Sequence, residues 1–163
     1  MRHILAALTV ALLFAGMVAA EATPSQTLIK VGRETWKVKS ILTGKQHPVL
    51  QREAERHAKE QADHQMQGHF WWDQRKARII QQVPGLRSVE EVCNESWPGQ
   101  NTNDAAYEMY RSWKTSDGHW ASVNSPCTYY GYAMALGKNG VWYACGIVAQ
   151  KGTGEWDGQA DQN

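Results

Sequence analysis

The sequence predicts an α+β protein: an antiparallel sheet with helices packed on its faces. Three observations carry this. Apolar residues recur at helical spacing over residues 49–67, 73–82 and 104–113. A short β-rich run at residues 89–97 interrupts those segments. Two further β-rich runs, 129–136 and 141–148, are joined by Gly137-Lys138-Asn139-Gly140, and Asn-Gly is a strong hairpin signal. Helices mixed with antiparallel strands give the α+β pattern.

The elements follow in order. Residues 27–39 (TLIKVGRETWKVK) partly alternate and read as a strand. Gly44 and Pro48 bracket a turn, and Pro48 suits the first position of a helix. Leu50, Ala54, His57, Ala58, Ala62 and Met66 then form one face at three- and four-residue spacing, and Gly68 is a natural stop. Ala77, Ile79 and Ile80 mark a second helix that Pro84-Gly85 ends. Residues 98–104 are a polar loop whose Asn103 or Asp104 caps a third helix. Ala106, Met109, Tyr110 and Trp113 face its core, and Ser116-Asp117-Gly118 closes it.

The totals narrow the class. With 163 residues, one domain is expected. Residues 1–20 read as a signal peptide: a basic start, an apolar stretch, then small residues, with cleavage after Ala20 or Ala22. The mature protein is expected to be secreted or periplasmic, without a transmembrane anchor. Residues 21–46 form an N-terminal segment, 47–150 the main domain, and 151–163 a loose glycine-rich tail. The formal net charge is +1, with basic residues scattered, which gives no footprint for nucleic acid. Eight tryptophans supply large apolar area for a small core. Of three cysteines, Cys93, Cys127 and Cys145, an oxidising compartment permits one disulfide; all three pairings are open.

Residues 47–150 resemble a bacterial member of the CAP superfamily, also called SCP-domain proteins and related to plant pathogenesis-related and animal cysteine-rich secretory proteins. The resemblance runs through Leu50, Ala54 and His57-Ala58, then His69, Glu91, Trp113, Ser116 and Gly118-His119, and ends at Gly131 and Val141-Trp142-Tyr143-Ala144-Cys145. It implies an α-β-α sandwich with a central antiparallel sheet. It also implies a helix upstream of His47, where the chain's own pattern reads as strand. The motif Glu91-Val92-Cys93 lacks the family's asparagine, and Ser116 stands where eukaryotic members carry a second acidic residue.

The resemblance places His69, Glu91 and His119 in one cleft, as ligands for zinc or another divalent metal. Neutral imidazole is a good zinc ligand, and a carboxylate can orient it through its other N–H. His57, Glu95 and Ser116 would stand at the rim, Glu95 as a rival to Glu91. The residues alone allow a simpler reading, in which a hydrogen-bonded His–Glu pair perturbs both groups without any chemistry. His57 lies on the apolar face of its helix, where core packing is the first expectation, and Ser116 fits a helix-end cap better than a nucleophile. Phe70-Trp71-Trp72 is expected to be core under the cleft, the alternative being an exposed apolar wall for a lipid or sugar face. The function expected is an exported binding or interaction module, its cleft holding a metal, a small molecule, a lipid or a peptide. The alternative is a metal-dependent hydrolase with Glu91 as general base.

Overall fold

The computed structural model describes residues 21–152; the expected signal peptide and nearly all of the expected tail lie outside the described residues. Helix α1 is Pro24–Glu34. It is followed by α2 (Lys39–Thr43), the two-residue strand β1 (Lys45–Gln46), α3 (Pro48–His64) and α4 (Trp72–Gln82). The remainder is β2 (Leu86–Glu95), α5 (Thr102–Lys114), α6 (Asp117–Val123), β3 (Tyr129–Leu136) and β4 (Trp142–Lys151). The sheet order is β1-β3-β4-β2. It is antiparallel through β3, β4 and β2, and β1 joins β3 in parallel.

Two apolar layers cover the sheet, so the molecule is an α-β-α sandwich. One layer gathers Leu28 and Ile41 with Met109, Tyr110 and Trp113 against Tyr132, Ala144 and Val148. The other sets Leu50, Ala54 and Ala58 of α3 and Ile79 of α4 against Ala133, Cys145 and Ile147. Alternate residues of β4 serve the two layers, as the period of two demands. This strand is buried on both faces, as its central place requires. Leu28 and Ile41 share a core with α5 and the sheet, so the boundary at His47 does not separate two cores.

Residues 27–39 are not a strand. Pro24 starts α1 behind a reciprocal cap: the Thr23 hydroxyl accepts from the Gln26 N–H, and the Gln26 side chain accepts from the Thr23 N–H. Thr-Pro-Ser-Gln is the local signal that outweighs the alternation after it. Gly32 completes the packing, because a Cβ there would overlap the Tyr110 hydroxyl.

Other boundaries move by a turn or less. Helix α3 begins at Pro48 as expected but ends at His64, with Gln65 left-handed at φ 51° rather than a stop at Gly68. Asn101, not Asn103 or Asp104, caps α5 by accepting the Asp104 N–H at 3.0 Å. Asp117-Gly118 does not end in a turn; it opens α6. Gly131 lets α3 lie directly on β3, since a Cβ there would overlap the Leu50 carbonyl carbon.

Candidate functional site: a buried Arg–Glu pair under two histidines

Glu91 lies on β2, an edge strand, and its carboxylate points into the layer of α3 and α4. The sequence of β2 buries Val89, Val92 and Cys93 around it. An ionised carboxylate in such surroundings needs a partner. Arg75, one turn into α4, supplies it with two parallel bonds: Nε to Oε2 at 2.6 Å and Nη2 to Oε1 at 2.9 Å. Each of the two side chains is only 1% exposed. Burial pushes the Glu91 pKa up, but the bonds from His69 and Arg75 outweigh it and hold the carboxyl below its ordinary value.

His69 follows α3 on the loop to α4. Its Nδ1 donates to Glu91 Oε1 at 3.0 Å, while its side chain remains 44% exposed. The Cys93 sulfur lies 3.6 Å from the same oxygen and 3.7 Å from the same ring nitrogen. Hydrogen bonding to Cys93 and then to Glu91 raises the His69 pKa to about 10. For Cys93 burial acts upward, but hydrogen bonding with Cys145, His57 and His69 prevails and lowers its pKa. The Cys145 thiol is driven up, by burial first and by its neighbour Cys93 second. Its sulfur lies 3.7 Å from Glu91 Oε2.

His57 is fully buried on α3, as its place on the apolar face suggests. Both ring nitrogens face acceptors, Nδ1 at 3.2 Å from Glu60 Oε2 and Nε2 at 2.8 Å from the Gly68 carbonyl. This favours the doubly protonated ring, and the His57 pKa is raised despite the burial that opposes it. His57, Glu91 and Cys93 bring donor atoms within 4.8 Å of one another. Binding a metal through His57 Nε2 would cost the bond to Gly68, however, so His57 is better placed to hold the loop that carries His69.

His119 is half-buried in the first turn of α6, and its ring centroid lies 6.2 Å from that of His69. The helix packs on the other face of the sheet, so the two imidazoles meet across the edge of β2. Glu95, the rival, is exposed at the end of β2 and has no place in the hydrogen bonds around Glu91. Ser116 precedes α6 in the N-cap position, but its hydroxyl makes no capping bond; its carbonyl receives the Trp120 N–H at 2.8 Å.

One expectation is corrected in part. Phe70-Trp71-Trp72 is not core throughout: Trp72 packs on the layer of α3 and α4 and Phe70 is half-buried, but Trp71 is left-handed at φ 59° and its side chain is 52% exposed. The Phe70 ring packs on His57, and Trp71 packs on Phe70 and His64. The cysteines are free thiols, with no disulfide among the described residues. Cys127 lies on the opposite face of the sheet and donates to the Ser40 carbonyl. Sequence reasoning missed Arg75, and it considered Cys93 and Cys145 only as disulfide partners. The signal for Arg75 was available: a carboxylate between buried residues of a strand calls for a nearby cation.

A cleft of about 180 Å³ opens between α6 and the far end of β2 and β4, lined by Ser88, Glu90, Ser122 and Gln150 among others. It includes none of His57, His69, Glu91 or His119. Among the described residues, no helix is long and apolar enough to cross a membrane.

No protein-family model matches the chain. No curated protein matches it either. Among solved structures it is similar to an outer surface protein from Borrelia burgdorferi, at 12% sequence identity and a TM-score of 0.52. The alignment covers 67% of this chain and 78% of that one. At this identity the likeness is one of fold alone.

Proposed function

We infer that the protein is an exported binding domain of the CAP type whose histidine centre holds a divalent metal, zinc being the best chemical fit. One observation carries the reading. His69 Nδ1, Glu91 Oε1 and Cys93 Sγ form a triangle with edges of 3.0, 3.6 and 3.7 Å. Tetrahedral zinc with ordinary Zn–N, Zn–O and Zn–S bonds sets its ligand atoms roughly 3.3–3.7 Å apart, so the two sulfur edges fit as they stand and the N–O edge would open slightly. A metal ion would replace the protons that now join these three atoms, and His119 would be the next imidazole. Arg75 opposes the ion electrostatically but fixes Glu91 in place, as groups behind a metal ligand commonly do.

The hydrolase alternative has less support. It asks Glu91 to take a proton from water, and a carboxylate with a lowered pKa, clamped by a guanidinium, is a weak base. Export agrees with the signal-like residues 1–20, and the similar fold of an outer surface protein is in keeping with it.

The test is calorimetric titration of zinc into the reduced mature protein and into a His69→Ala/His119→Ala variant. Micromolar or tighter binding that the double variant loses is expected. A folded protein that takes up no zinc overturns the reading.

A further inference from the structure

Cys93 and Cys145 stand directly opposite each other on β2 and β4. The Ser96 N–H donates to the Trp142 carbonyl at 2.9 Å, which marks that pair as hydrogen-bonded. Narrow and wide pairs alternate along an antiparallel ladder. Asn94 and Ala144 are therefore hydrogen-bonded as well, and Cys93 and Cys145 form a non-hydrogen-bonded pair. At such positions the Cα atoms approach to about 4.5 Å and side chains lie closest. That separation falls within the range of roughly 4.4–6.8 Å that a disulfide spans. Opposed residues project from the same face, and both sulfurs lie against the one Glu91 carboxylate. Cys127 is on the other face, so it cannot compete.

We propose that Cys93 and Cys145 are a redox pair that a small peroxide joins into a cross-strand disulfide, and that this bond withdraws the sulfur ligand from the metal centre. The oxidant must be small because both cysteines are buried; the half-exposed His69, 3.7 Å from the Cys93 sulfur, is the neighbour of that thiol that reaches the surface. The Cys93 sulfur attacks one peroxide oxygen. An S–O bond forms, the O–O bond breaks, and the departing hydroxide takes the thiol proton to become water. The Cys145 sulfur then attacks the Cys93 sulfur. The S–S bond forms, the S–O bond breaks, and the hydroxyl leaves as water with the second thiol proton. Two thiols and one peroxide become one disulfide and two waters. Cys93 Sγ now faces Cys145, and the triangle with His69 and Glu91 has lost its third corner.

The second half rests on the metal reading; the first does not. The full-length mature protein is treated with hydrogen peroxide and examined by intact-mass and peptide-mapping mass spectrometry. The expected result is loss of two hydrogens and a Cys93–Cys145 crosslink, retained in Cys127→Ser and absent in Cys145→Ser. Circular dichroism checks that each variant folds, and Cys145→Ala replaces the serine variant if that one does not. A folded protein whose thiols stay unreacted, or whose Cys93 stops at the sulfur acid with Cys145 free, overturns the pair. Zinc titration of the reduced and crosslinked forms reads the consequence: at least tenfold weaker binding after crosslinking is expected. Equal affinity overturns the withdrawal alone. A crosslink with no zinc binding in either form upholds the redox pair and overturns the metal reading together with its regulation.

Discussion

Arg75 and Glu91 form a two-bond ion pair in which neither side chain reaches water, and every other polar contact of the centre is arranged around it. Removing one partner strands the other charge in the interior. Glu91→Gln is therefore expected to cost about 3–5 kcal/mol, read by urea denaturation. Adding Arg75→Met should recover part of the loss, because no isolated cation then remains. A Glu91→Gln variant within about 0.5 kcal/mol of the parent, the usual range for surface changes, would mean that this carboxylate is not desolvated.

The pH dependence has two limbs. The Glu91 pKa is lowered in the fold, so its contribution is present above the ordinary carboxyl value of 4.5 and is lost as pH falls through the folded value. The His69 pKa is raised to about 10, so its contribution is complete below the ordinary 6.5 and is lost as pH rises from there toward 10. The contribution of this pair should be fullest between about 4.5 and 6.5. A His69→Ala variant should flatten the alkaline limb when melting temperature is followed against pH, leaving the part that the raised pKa of His57 supplies. An unchanged alkaline limb would show that His69 is not held as an imidazolium.

Gly131 sets the distance between α3 and β3. A methyl group there meets the Leu50 carbonyl carbon, the Gln51 nitrogen and the Leu50 carbonyl oxygen, all within 2.6 Å. These are backbone atoms of a helix and cannot swing aside. Gly131→Ala should destabilise by about 1–3 kcal/mol or more, the range for overpacked cores. Thermal denaturation reads it, and an unchanged midpoint would contradict the close approach.

Thr23→Ala removes one half of the cap on α1. The loss should be about 1 kcal/mol, and Thr23→Ser should restore most of it. If both variants match the parent in chemical denaturation, α1 is held by the core packing of Leu28 and Ile29 and not by its cap.

Trp71→Ala should change stability by less than about 0.5 kcal/mol, because the ring is 52% exposed. A cost of several kcal/mol would place Trp71 in the core beside Trp72.

Within single segments the sequence was decisive. Pro48 and the Leu50–Ala54–Ala58 spacing determine α3, and Lys138-Asn139-Gly140 determines the turn between β3 and β4, because these signals act over one to four residues. His69, Glu91 and His119 were visible as residue types suited to one centre; in the fold His69 bonds Glu91, and the His119 ring lies 6.2 Å from that of His69 without a bond to the carboxylate. Tertiary structure decided what depends on distant chain. Residues 27–39 satisfy a strand pattern locally, yet Tyr110 and Ile41 accept them only as a helix with Gly32 at the contact. Arg75 became the partner of Glu91 through the rotation of α4 over β2. Cys93 met Cys145 through the register of two strands that lie far apart in the chain. Spacing along the chain encodes periodicity; it does not encode which faces meet, since that is settled only when all the apolar faces are buried together.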